Sequence, residues 1–343
     1  MNTKIIKTAL AAVATAALMA GASGSAHAFK ACQVTDTGGV DDKGFNETAW
    51  KGVQDAVANL GVESRLLESS AETDYVPNIN SFIEEECDLI LTVGFLLGDA
   101  TREAAETNPD QQFSIVDFAY EPALPNVLGQ VYATDEAAFL AGYLAAGMSQ
   151  SGIVGTFGGI NIPPVTIFMD GFVRGVNYYN GQKGTNVVVL GWDVESREGL
   201  FTNNFDSLDD GRAFAQNLYE EGADIVMPVA GPVGLGSAAL ADELGTDQLK
   251  IIGVDADQHE TDPEKGHVYL TSVLKRMDAT VVQAIEAAMA GDFLRPVIVG
   301  TLENGGVGLA PFHDLDSEVP AGLKRELDTI TQGILEGTIS VTN

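Results

Sequence analysis

The sequence predicts an α/β fold of two lobes, each a doubly wound parallel sheet, and three observations predict it. Short apolar runs alternate with amphipathic helical stretches along the chain. That alternation passes through five strands and then begins again. The ~315 residues that follow an N-terminal leader exceed one ordinary core and favour two lobes of roughly 120–150 residues each.

The leader comes first. Lys4 and Lys7 precede an apolar run from Thr8 to Ala20, and Ala26-His27-Ala28 is a small-residue cleavage site. Residues 1–28 are therefore expected to be a signal peptide, and the protein to be exported to the periplasm or cell surface. The run is short for a membrane span, and no later stretch is long and apolar enough to be one. A lipoprotein anchored through Cys32 is the alternative, although Phe29-Lys30-Ala31 is a poor lipobox.

The first structural unit follows. Ala31–Thr35 reads as a buried strand. Ala49, Val53, Ala56, Val57 and Leu60 recur at helical spacing, with Asn46 as the expected N-cap. The turn between them carries Gly38, Gly39 and Gly44, which do not fit G-x-G-x-x-G. It also carries Asp36, Asp41 and Asp42, which would repel a pyrophosphate. A neutral polar ligand with O–H or N–H donors suits such a turn. Further strands are predicted at Glu63–Leu67, Leu89–Val93, Phe113–Val116 and Val127–Tyr132, and helices at Tyr75–Glu86 and about Gly98–Thr107, the last stopped by Asn108-Pro109.

The second array is predicted between about Thr134 and Val268. Its helices are Ala137–Met148, Val165–Tyr179, Gly211–Glu220 and Leu235–Leu244, and its strands Ile153–Phe157, Val187–Leu190, Ile225–Met227 and Ile251–Val254. Asp278–Ala290 and Lys324–Glu336 are two more amphipathic helices near a C-terminus that otherwise reads as loop.

Composition narrows the partners. The chain has 49 acidic and 18 basic residues, a formal charge of −31. Nucleic acid is excluded as a default partner, because phosphate contacts need a basic surface. The carboxylates are spread along the whole chain, which suits a solubilising surface better than a dedicated cation site. No metal and no cofactor is expected. Cys32 and Cys87 fall at the first and third strands, which can be neighbours in a doubly wound sheet, so an exported protein is expected to join them in a disulfide. Metal binding is the weaker alternative, since His259, His267 and His313 form no ligand cluster with them.

An enzyme would need an activated group, and the chain has no G-x-S-x-G, H-E-x-x-H or P-loop. It does place carboxylates at strand ends: Asp36, Asp117 and Asp255. Such groups accept hydrogen bonds from ligand donors in the crevice beyond the sheet, although each alone fits a cap or turn former equally well. The glycine-rich loop Gly231–Gly236 fits backbone donation to a ligand and close loop packing equally. Phe45, Trp50, Phe118, Phe157, Trp192, Phe201 and Phe205 are the aromatics that could cover a flat ligand.

The stretch VTDTGGVDDKGFNETAWKG (Val34–Gly52) resembles the opening of the basic membrane protein family, extracytoplasmic solute receptors of ABC transporters that include purine nucleoside receptors. The similarity continues through Gly222–Gly234, Ile251–Gln258, Leu270–Asp278 and Gly308–Asp314, essentially the whole mature chain. The resemblance implies a type I periplasmic-binding-protein fold, two Rossmann-like lobes joined by short hinge crossings. The N-terminal lobe would hold 29–132 plus about 271–293, and the C-terminal lobe about 133–270 plus about 294–343.

It also implies roles. Phe45 and Phe205 would sandwich a purine. Asp117, with Asp36 beside it, would read base N–H groups, and Asn46 belongs to the same ligand-binding set. Asp255 and Lys275 would read ribose, and Gly231 would offer backbone. The spacing around Asn203-Asn204-Phe205-Asp206 is only approximately the family's, so Phe201 is an alternative to Phe205. Pro232 stands where a second glycine is usual and removes a backbone donor. The implied function is a monomeric, non-enzymatic receptor that captures a nucleoside and delivers it to an ABC transporter permease. A receptor for a sugar or other small polar solute, and less readily a nucleoside hydrolase, are the alternatives.

Overall fold

Two six-stranded sheets divide the chain in the computed structural model, which describes residues 28–293 and 295–342. The expected signal peptide lies outside the described residues, apart from Ala28.

The first lobe alternates strand and helix: β1 (Lys30–Val34), α1 (Phe45–Leu60), β2 (Glu63–Leu67), α2 (Tyr75–Glu84), β3 (Leu89–Val93), α3 (Gly98–Thr107), β4 (Gln112–Val116) and β5 (Val127–Tyr132). The second begins with α4 (Thr134–Met148), β6 (Ile153–Gly158), α5 (Pro163–Lys183) and β7 (Val188–Leu190). A small hairpin follows, β8 (Trp192–Asp193) with β9 (Glu198–Gly199). The lobe continues with α6 (Leu208–Glu220), β10 (Ile225–Val229), α7 (Gly234–Leu244), β11 (Lys250–Asp255), α8 (Gln258–Thr261) and β12 (Tyr269–Lys275). The chain ends with α9 (Met277–Ala290), β13 (Val297–Gly300), β14 (Val307–Leu309) and α10 (Ala321–Leu335).

Strand order is β13-β5-β4-β3-β1-β2 in the first sheet and β14-β12-β11-β10-β6-β7 in the second. All pairings in both are parallel except β12 with β14. Helices cover both faces of a parallel sheet, so its central strands are mostly apolar. Leu89–Val93 is accordingly buried at every position. In the second lobe α4 and α5 approach backbone to backbone. A Cβ on Gly142 would sit 2.0 Å from the Phe172 carbonyl oxygen, and one on Gly175 equally close to that of Phe139.

Three differences from the sequence reading concern where the chain goes. The strand Tyr269–Lys275 remains in the second sheet, between β11 and β14, so the return to the first lobe falls after Lys275 rather than near 271. Helix α9 then packs on α1, where a Cβ at Gly52 would meet the Asp278 carbonyl at 2.6 Å. The stretch from 294 does not go straight to the second lobe either. β13 pairs with β5 as an edge strand of the first sheet, and the last crossing lies between Gly300 and Val307. Strands of three or four residues carry too little periodicity to be seen in the sequence, and only their partners define them. Third, α1 starts at Phe45, with Gly44 rather than Asn46 at its N-cap position. The free N–H groups of its first turn are taken by Asp42: Oδ1 accepts from Gly44 and Glu47, and Oδ2 from Asn46.

Sγ of Cys32 is bonded to Sγ of Cys87, with the Cα atoms 6.1 Å apart. β1 lies between β2 and β3, which brings Cys32 beside the approach to β3.

Candidate functional site

The carboxyl ends of the strands in both sheets face one crevice, as expected for open α/β sheets. A cleft with about 570 Å³ of empty space, part of it open to solvent, lies there, where ligands of such sheets bind. Asp36, Phe45, Asn46, Asp117, Phe205, Gly231, Asp255 and Lys275 all line it.

The β1–α1 turn supplies the first wall and is tied together by its own side chains. Asp36 Oδ1 accepts from the Gly38 N–H at 3.0 Å and from Asn46 Nδ2 at 2.7 Å. Asn46 Nδ2 also donates to Asp42 Oδ2 at 3.1 Å. The Asn46 amide nitrogen is thus committed, while its Oδ1 is buried and has no partner. Burial pushes the Asp36 carboxyl above its usual range despite the Asn46 and Gly38 hydrogen bonds, and Asp255 adds to the effect. Burial likewise pushes Asp42 up to about 7.

Two strand-end aspartates, one from each lobe, share a left-handed backbone: Asp117 after β4 (φ 64°) and Asp255 closing β11 (φ 70°). Aspartate tolerates this conformation better than most residues, and strained backbone of this kind concentrates at functional sites. Both side chains converge on Lys275 at the end of β12. Its Nζ donates to Asp117 Oδ2 at 2.8 Å and lies 3.4 Å from Asp255 Oδ1. The ammonium also sits about 5 Å from the ring centroids of Phe45 and Phe168, at 4.9 and 5.2 Å. Burial alone would lower the Lys275 pKa, but Asp117 and Asp255 reverse that, so the ammonium is held. One ammonium does not balance three buried carboxylates. Burial therefore leaves Asp117 raised even with Lys275 beside it.

The aromatic walls come from opposite lobes. Phe45 is the first residue of α1. Phe205 sits in the β9–α6 loop, anchored by the N–H groups of Thr202 and Asn203 donating to the Gly158 and Gly159 carbonyls at 3.0 and 2.7 Å. Its ring lies over Gly159, where a Cβ would meet Phe205 Cε1 at 2.3 Å. Phe201, the alternative ring, instead packs edge-on against Trp192, centroids 5.8 Å apart, and does not line the cavity. Gly231 opens a short 3-10 turn after β10 with φ 54°, and Pro232 beside it faces the cavity with no N–H to give.

Sequence reasoning missed the apolar lining. Phe95, Ile162, Pro164, Val165, Phe168 and Val254 all contribute. Phe168 follows Val165 at helical spacing in α5 and reads as core. Only the packing of that helix end at the crevice makes it part of the site.

A family model described as "ABC transporter substrate-binding protein PnrA-like" matches residues 29–342. The chain is 30% identical to the Lactococcus lactis "ABC transporter nucleoside-binding protein BmpA", with 99% of each chain covered. It is 31% identical to "Basic membrane protein A" of Borreliella burgdorferi, over 89% of this chain and 85% of that one. Its structure is similar to the crystal structure of an ABC transporter solute-binding protein from Aeropyrum pernix, with a TM-score of 0.79 and 26% identity over 91% of this chain and 92% of that one. Among the described residues no helix is long and apolar enough to cross a membrane. With residues 29–342 matched and a two-lobed fold meeting at one cavity, the chain belongs to the PnrA-like, or basic membrane protein, family of ABC transporter substrate-binding proteins.

Proposed function

We propose that the protein, exported from the cell, captures a purine nucleoside between its lobes and delivers it unchanged to an ABC transporter permease. The observation that carries this reading is the pairing of Phe45 and Phe205, from opposite lobes, on one cavity that also holds Asp36, Asp117, Asp255 and Lys275. Two aromatic faces suit a planar base, whose stacking is worth about 1–3 kcal/mol per base. Asp255 and Lys275 offer an acceptor and a donor side by side, the complement of a ribose with its hydroxyls and oxygens. The remaining carboxylates accept from base N–H groups. Their excess over the single ammonium disfavours a phosphate, which selects nucleosides over nucleotides. The name of the Lactococcus lactis relative points the same way.

Capture needs no chemistry. Ligand contacts drawn from both lobes become available together only when the lobes close, so binding and closure are linked. A thermal-shift screen of nucleosides, free bases, nucleotides and pentoses tests the reading, alongside mass spectrometry of any small molecule that co-purifies. Stabilisation by inosine or guanosine, with little from ribose, is expected. Stabilisation by pentoses and by no purine nucleoside would overturn it in favour of a sugar receptor, and release of free base from inosine would make the protein a hydrolase.

A further inference from the structure

We propose that His259, Glu260 and His313 form a binding site for a divalent transition-metal ion of the zinc type, on the second lobe beside the cleft rim. The two histidines are 54 positions apart and no spacing motif links them, yet the fold brings them into contact. His259 and Glu260 belong to α8, and His313 opens the 3-10 turn His313–Leu315 that follows β14. One ligand atom from each of the three residues lies within 4.8 Å of the others.

The surroundings match a metal site in its second layer as well. His313 Nε2 is 2.8 Å from Asp257 Oδ2, and His259 Nε2 is 3.5 Å from Asp314 Oδ2. A carboxylate behind a ligating imidazole is the usual means of fixing its ring and raising its basicity. His259 Nδ1 is buried without a hydrogen-bond partner, and the nearest carboxylate oxygen, Glu260 Oε1, stands at 3.7 Å, too far for one. Asp257 Oδ1 is likewise buried and unpartnered. Buried polar atoms without partners are costly, and a cation would satisfy both kinds. The backbone is also set: His313 has φ 41°, and Gly266 backs the His259 ring so closely that a Cβ there would meet His259 Cδ2 at 3.0 Å.

The donor set decides the class of ion. Imidazole nitrogens with a carboxylate suit zinc, cobalt, nickel and copper, whereas magnesium and calcium favour oxygen alone. The two rings stack, centroids 3.9 Å apart and planes 9° from parallel. Their in-plane lone pairs then run side by side. Coordination turns one ring and draws the ligand atoms to about 3.3 Å apart, as metal–nitrogen distances of about 2.0–2.1 Å require. Water completes the shell. The ion would clamp α8 to the C-terminal segment. The last residue of α8, Thr261, donates to the Lys43 carbonyl of the first lobe at 2.6 Å, so the clamp stiffens a rim that takes part in closure.

The test is a titration of EDTA-treated mature protein, disulfide intact, with Zn2+ in millimolar Mg2+, and with Co2+ as the visible-absorption probe. One Zn2+ per chain, a raised melting temperature and Co2+ bands of a tetrahedral site are expected. His259→Ala and His313→Ala should each weaken Zn2+ binding at least about tenfold, the scale on which metal sites respond to lost support. His267→Ala, whose ring faces Asp242 elsewhere on the surface, should change nothing. If either alanine variant fails to fold, His259→Gln keeps the polar shape and serves in its place. Zn2+ displaced by Mg2+, or bound equally by the variants, would overturn the site and leave only general attraction to an acidic surface.

Discussion

Lys275 is 3% exposed, yet it carries its charge between carboxylates from two lobes and against aromatic rings. Removing one partner of a buried ion pair leaves the other uncompensated, which typically costs about 3–5 kcal/mol. Lys275→Met is expected to lose stability on that scale at neutral pH in urea unfolding. Less should be lost in mild acid, where Asp117 and Asp36, with pKa values already raised, take up protons. A loss that does not vary with pH would show that the ammonium matters for packing and not for charge. Asp42 gives a second pH signature. Its folded pKa of about 7 lies above the ordinary 3.8, so the folded state binds the proton more tightly. Its contribution is therefore complete below 3.8 and is lost as pH rises towards about 7. Asp36 and Asp117 act in the same direction. The urea midpoint of the ligand-free protein should show these losses across that window, and Asp42→Asn should flatten part of the slope. Parallel profiles for variant and wild type would mean that Asp42 titrates normally.

At the scale of elements, the β6 end and the β9–α6 loop act as one unit. Gly159 does not line the cavity, but its missing side chain is where the Phe205 ring rests. Gly159→Ala is expected to weaken nucleoside binding about as much as Phe205→Ala, roughly 1–3 kcal/mol. Gly308→Ala, with open space around its Cβ, serves as the control. Phe201→Ala should instead lower the melting temperature more than it lowers affinity, because its ring packs on Trp192. Calorimetry showing full affinity for Gly159→Ala would detach Phe205 from the ligand. The β1–β3 region adds the covalent link. A bridge closing a loop of 55 residues stabilises by about 4 kcal/mol in the chain-entropy model. Alkylation of non-reduced exported protein should find no free thiol, and reduction should lower the urea midpoint without abolishing ligand binding, since Cys32 and Cys87 do not line the cavity. Free thiols in non-reduced material would refute the link.

For the whole molecule, closure is the property that joins the lobes to function. Besides the chain crossings, side-chain contacts between the lobes include Lys275–Asp117 and Thr261 donating to the Lys43 carbonyl. Thr261→Val removes the second at little change in volume. The lost hydrogen bond, worth about 0.5–1.5 kcal/mol net, should appear as faster nucleoside release with an unchanged association rate. Stopped-flow displacement measures this, and an unaltered off-rate would place Thr261 outside the closing contact. Surface charge sets the medium. With a formal charge of −31, self-repulsion falls as salt rises. The buried carboxylates are screened far less, so the pH dependence assigned to Asp42 should persist in high salt.

The sequence by itself determined the α/β alternation, the restart after the fifth strand and the strand-end aspartates, because periodicity and turn chemistry are local properties. It also carried Phe45, Asn46 and Lys275 into the site, through stretches whose resemblance to the family is continuous. The tertiary structure alone put Phe205 and not Phe201 on the cavity, since Phe201 rests over Gly158 and against Trp192 while Phe205 rests over Gly159 at the cleft. It alone assigned β12 to the second sheet and β13 to the first, because a strand's sheet is set by the partners it pairs with, and those lie far away in the chain. The same holds for the site's apolar wall and for the pairing of His259 with His313. Those contacts join residues far apart in the chain, and a one-dimensional pattern records what a residue is, while the distance between two such residues arises only when both lobes are packed.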